Sequence, residues 1–87
     1  MTYRIVFRRS ARKAFLALPD AMRQRVGHAI DGLSSNPRPP GARALQGQDN
    51  LLRIRVGDYR VIYSVRDYAL VIVVIRVGHR RDVYRGL

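Results

Sequence analysis

Two short stretches concentrate the polar chemistry of this chain. Residues 53–60 read RIRVGDYR and residues 77–84 read VGHRRDVY. In the first, Gly57-Asp58 suits a two-residue hairpin turn with glycine leading. Such a turn sets Val56 opposite Tyr59 and Arg55 opposite Arg60, and Arg53 shares their face. Directly opposed like charges destabilise a sheet. The pairing is therefore either a solvated surface or a built anion site. Three guanidiniums on rigid strands can grip phosphates bidentately.

The second stretch follows ALVIVVI (69–75), the most apolar run in the sequence. In a meander the end of the last strand returns beside the start of the middle one. His79 and Arg80 are thus expected near Arg55 and Arg60. An imidazole ordinarily changes charge near neutral pH, which makes His79 a candidate for moving protons. Tyr84 is a candidate for proton transfer or for stacking on a base, against the plainer reading that it pins the tail. Asp82 is read as a carboxylate that orients a neighbouring Arg. His28 reads as solvated, and Tyr59, Tyr63 and Phe15 as core. Two histidines without carboxylate partners do not make a metal site, and no cofactor is expected.

These groups need a scaffold. Tyr3–Arg9 (YRIVFRR) has the β-branched and aromatic content of a first strand. Ser10 is expected to cap a helix carrying Ala11, Phe15 and Leu18 on one face. Pro19-Asp20 starts a second helix, with Met22, Val26, Ala29, Ile30 and Leu33 on its buried side, ending near Ser34. The stretch 36–50 (NPRPPGARALQGQDN) reads as irregular loop. Strands are expected over Leu51–Val56, Tyr59–Val65 and Ala69–Val77. The fold class is α+β, ordered β-α-α-β-β-β, with a helical hairpin packed on an antiparallel sheet, in one domain spanning 1–87.

Composition narrows the partners. Seventeen Lys and Arg against six acids give the 87-residue chain a formal charge of +11. A domain this basic attracts polyanions: RNA or DNA is the first expectation and an acidic protein the next. Arg8, Arg9, Arg12 and Lys13 form a further basic run suited to phosphate contacts that carry no sequence information. No helix pairs a strongly basic face with a large apolar one, so a membrane partner is not expected. There is no cysteine. MTYRIVFRRS lacks the apolar stretch of a signal peptide, and a cytoplasmic location is expected.

LQGQDNLLRIRVGDYRVIYSV (45–65), followed by VIRVGHRRDVYRGL (74–87), resembles the RelE/ParE superfamily of bacterial toxins, and its RelE branch in particular. The resemblance covers nearly the whole chain. It implies a metal-independent endoribonuclease that cuts mRNA in the ribosomal A site and is blocked by a cognate antitoxin with an acidic or amphipathic segment. Carried over, the functional positions are Arg53 and Arg55 on the sheet, Arg60 after the turn, and Arg80 and Tyr84 near the end, with His79 adjacent. Arg53 and Arg55 match positions that are Lys in some members. Arg cannot be deprotonated in a protein, so Arg55 is no simple base here. A ParE-like toxin that inhibits gyrase by binding shares the fold, and a non-enzymatic RNA-binding module is the remaining alternative.

Overall fold

The computed structural model describes residues 2–87. Strand β1 (Arg4–Phe7) leads directly into helix α1 (Arg9–Leu16), and α2 (Asp20–Leu33) follows after Pro19. A two-residue strand β2 (Arg43–Ala44) precedes β3 (Leu52–Val56), β4 (Tyr59–Arg66) and β5 (Val71–His79). The sheet has five strands in the order β1-β5-β4-β3-β2. β3, β4 and β5 form the expected antiparallel meander, and β1 joins it in parallel, against β5. The sheet is therefore mixed rather than wholly antiparallel.

Both helices lie on one face. Ala11, Val26, Ile30 and Leu33 meet Ile54, Val56, Val61, Tyr63, Ile72, Val74 and Val77 in a single core. The apolar period of α2 explains its placement: Val26, Ile30 and Leu33 are its buried residues. Tyr63 is fully buried, and its hydroxyl donates to the Pro37 carbonyl at 2.7 Å. Phe15 packs at the margin of this core against Phe7, ring centroids 5.5 Å apart. His28 is exposed, as expected.

Three local expectations need correction. Ser10 is not the helix cap; it lies within α1, and Arg8 holds the N-cap without a side-chain bond. The reason is the parallel pairing, since the Arg8 N–H still donates to the Val74 carbonyl at 2.9 Å and the chain turns straight from sheet to helix. The 36–50 loop contains β2, because Arg43 and Ala44 find partners in Arg53 and Leu52. The last strand starts two residues late, because Asp67–Ala69 form a 3-10 turn, and it runs on to His79. That strand also carries an irregularity. Ile62 pairs with Arg76 and Tyr63 with Val74, which leaves Ile75 as the extra residue of a bulge. No helix among the described residues is long and apolar enough to cross a membrane.

The candidate anion site on the open face

The face of the sheet away from the helices carries the candidate site. Gly57 takes φ +59°, the left-handed first position that a tight hairpin with leading glycine requires. The turn fixes the register as expected: Val56 opposes Tyr59, and Arg55 opposes Arg60. Strand alternation then puts Arg53, Arg55 and Arg60 on the open face, since Ile54, Val56 and Val61 are in the core. Two rows cross the sheet. One runs Arg43, Arg53, Ile62, Arg76; the other runs Arg55, Arg60, Gly78. Arg60 is half-buried and anchored, its Nη1 donating to the carbonyls of Gly57 (3.1 Å) and Tyr59 (3.0 Å).

Arg80 is tied to the same turn as Arg60. Its backbone N–H donates to the Asp58 carbonyl at 2.8 Å, and its Nε lies 3.9 Å from the Asp58 carboxylate. Both side chains of that pair are largely exposed, so the ion pair holds Arg80 only loosely. After His79 the chain makes a helical turn, with the N–H groups of Asp82 and Val83 both donating to the His79 carbonyl. Val83 is buried with Ile62 and Ile75 in a second, smaller core on the open face, where Leu45, Leu51 and Val73 join it. It sits over Gly78, the residue facing Arg60. Tyr84, partly exposed, is carried on this turn. Val83 fastens the tail. Asp82 pairs with Arg85 at 3.4 Å, with both side chains exposed.

His79 does not join the cluster. It pairs with Tyr59, and the two rings meet edge-on at a centroid distance of 5.7 Å. Tyr59 packs on the helix-side core with Val56 and Val61. The imidazole therefore leaves the sheet on the opposite face from Arg55 and Arg60, and its Nδ1 accepts the Arg81 N–H at 3.3 Å. The bulge at Ile75 is the cause, because one extra residue exchanges the two faces for everything beyond it. Arg9, Arg12 and Lys13 are exposed on α1, away from the open face. Arg8 is at the margin of the open face, where it lines a recess with Ser64 and Ile75.

Two cations here escape sequence reading. Arg43 stands opposite Arg53 on a strand hidden in a Pro- and Gly-rich loop. Arg76 turns onto the open face at the bulge, and its Nη1 donates to the carbonyls of Val83 (3.1 Å) and Arg85. The signal for Arg76 was its position as the lone charge within a long apolar run. Chemically, the site offers fixed guanidiniums on a sheet and a phenol on an adjoining turn. That set can bind phosphates and stabilise negative charge developing on them.

Comparison with known proteins agrees with this fold. Residues 5–84 match the family model described as ParE toxin of the type II toxin–antitoxin system parDE. The chain is 31% identical to Toxin RelG of Mycobacterium tuberculosis, over 98% of this chain and 99% of that protein. It superimposes on a chain of the archaeal RelE–RelB complex from Pyrococcus horikoshii with a TM-score of 0.80 and 35% identity. That match covers 95% of this chain and all of the other. For the Escherichia coli RelBE toxin–antitoxin complex the TM-score is 0.79 at 26% identity, covering 88% and 95%.

Proposed function

The chain belongs to the RelE/ParE superfamily of type II toxins, and from that premise we propose that it is the toxin of a RelBE-type pair and an endoribonuclease that cuts mRNA in the ribosomal A site. The observation that carries this reading is the row Arg55–Arg60 on the open face, with Arg53 beside it and Arg80 tied to the same turn. Opposed cations cost stability. A bound polyphosphate strand offsets that cost.

In the proposed reaction a ribose 2′-hydroxyl gives its proton to solvent water and attacks the adjacent phosphorus. The bond to the 5′ oxygen breaks, leaving a 2′,3′-cyclic phosphate. Arg60 and Arg80 stabilise the charge that builds on the phosphoryl oxygens, a preorganised electrostatic contribution. Arg53 and Arg55 position the flanking phosphates. Of the two candidate proton carriers, His79 leaves the sheet on the helix side, whereas Tyr84 rides on the turn whose Val83 packs onto the open face. This favours Tyr84 for protonating the leaving 5′ oxygen. Arg9, Arg12 and Lys13 serve as backbone contacts to ribosomal RNA. The partner that restrains the toxin is an antitoxin, as in the RelE–RelB complexes the chain resembles.

The family description names a ParE toxin, so gyrase inhibition by binding alone is the second reading. Primer extension on mRNA in a purified translation system with stalled ribosomes separates the two. Ribosome-dependent cuts within the A-site codon, lost in Arg60→Ala, are the expected result. Intact mRNA with the unmutated chain would sink the ribonuclease reading and direct attention to DNA supercoiling.

A further inference from the structure

The open face carries a second feature at the far end of β4. Ser64, Ile75 and Leu51 floor a recess of about 870 Å³, and Arg8, Arg66 and Tyr68 stand at its rim. Gln48, Asp49 and Asn50 form the facing wall. Three observations mark it. Tyr68 is 87% exposed, a large aromatic ring left almost wholly in water. The Ser64 hydroxyl is buried with no hydrogen-bond partner, although such groups are nearly always paired. Arg8 and Arg66 are exposed and make no ion pair among the described residues. The neighbouring carboxylate of Asp67 is already engaged by both Arg38 Nη atoms (3.3 and 2.9 Å) and by the Tyr3 hydroxyl (2.6 Å).

The recess is continuous with the candidate site. A shallower notch of about 250 Å³ holds Tyr84 with Leu45 and Gln46, and shares Gln48 and Leu87 with the recess. Arg60, Ile62, Ser64 and Arg66 alternate along the open face of β4. Arg60 and Arg66 are thus about 20 Å apart along the strand, a span that suits a few nucleotides of splayed strand.

We propose that this recess is a subsite for the single-stranded RNA flanking the cleaved bond, with a base stacked on Tyr68 and backbone phosphates held by Arg66 and Arg8. Single-stranded RNA offers the three chemistries the recess displays: a flat aromatic face, an anionic backbone and a polar base edge. Gln48 and Asn50 can donate to and accept from that edge, and Asp49 can accept from an exocyclic amine. The inference rests on the ribonuclease reading and extends it to the neighbouring nucleotides.

The test uses full-length chain carrying Arg60→Ala, bound to ribosomes programmed with mRNA containing 4-thiouridine beside the A-site codon. Ultraviolet crosslinks mapped to residues 64–68 or 48–50 are expected. Crosslinks confined to 53–60 and 76–84 would overturn the subsite while leaving the ribonuclease reading intact. In parallel, Tyr68→Ala in the active chain should raise the half-saturating concentration of programmed ribosomes about tenfold, and Tyr68→Phe should restore it. Tyr68 is too exposed for either change to disturb the fold. Equal saturation curves for all three chains would also overturn the proposal. Absence of cleavage by the unmutated chain, with no crosslink to either region, would reject the ribonuclease reading and the subsite together. Protection of Tyr68 by an acidic peptide but not by RNA would assign the recess to a protein partner and reject the subsite.

Discussion

Arg55 and Arg60 stand directly opposite one another across the β3–β4 hairpin, on the face of the sheet that no helix covers. Like charges in that position repel by about 0.2–1 kcal/mol relative to a neutral pair. Arg55→Thr should therefore raise the unfolding free energy by about 0.5 kcal/mol in low salt, with the gain shrinking as salt is added. RNA cleavage should fall in the same variant. Denaturant unfolding at two ionic strengths, with cleavage measured alongside, checks the trade. A variant both less stable and fully active would show that the pair is not an anion site.

Arg76 fastens the tail through the Val83 and Arg85 carbonyls. Hydrogen bonds from a charged donor contribute about 1.5–3 kcal/mol together with their partners' desolvation. Arg76→Ala should cost about 2 kcal/mol and speed trypsin cleavage after Arg80 and Arg81. If Tyr84 acts from this turn, cleavage of RNA should drop about as far as in Tyr84→Phe. Unchanged proteolysis would mean that Val83 alone holds the tail.

The imidazole of His79 packs against Tyr59 on the helix-side face. His79→Gln should leave the shape of the pH–rate profile unaltered and lower the rate far less than Arg60→Ala. Loss of a limb of that profile in the Gln variant would return His79 to proton transfer.

Burial pushes the Tyr63 phenol up to about 12 from the usual 10.0. The folded state thus favours the protonated form, which donates to Pro37. The associated stability is fully present below pH 10 and is lost as pH rises from about 10 to 12, to the extent of about 2–3 kcal/mol. Tyr63→Phe should remove this part of the alkaline loss while costing about 1 kcal/mol at neutral pH, because the Pro37 carbonyl loses its donor. Urea unfolding at pH 9 and 11.5 reads both effects.

The exposed carboxylate of Asp67 is held below its usual range, first by the hydrogen bond from Arg38 and then by that from Tyr3. A lowered carboxylate stabilises the fold above its unfolded pKa, and that contribution disappears as pH falls through the depressed folded value. Thermal melts should therefore show a loss below about pH 4. Asp67→Asn should flatten that acid limb. An unchanged limb would place the acid sensitivity elsewhere.

Much of this was legible in the sequence. The apolar period of α2, the Gly57-Asp58 turn and the alternation of β3 depend on interactions between near neighbours along the chain, and they stand as read. So does the grouping of Arg53, Arg55 and Arg60, because a two-residue turn leaves one register. The cap of α1 did not stand, because it depends on how far β1 stays paired with β5. Arg43 was hidden for a similar reason: β2 exists only because β3 offers it an edge.

The sequence by itself determined which residues could bind phosphate and which hairpin would gather three of them. The tertiary structure decided which ionisable side chains accompany them. A bulge is a property of two strands in register, and β5 alone gives no sign of where its alternation breaks. The extra residue at Ile75 turns Arg76 outward to hold the tail and carries His79 to the helix side. Were the alternation unbroken through Ile75, the imidazole would emerge on the open face with Arg60 and the guanidinium of Arg76 would point into the core.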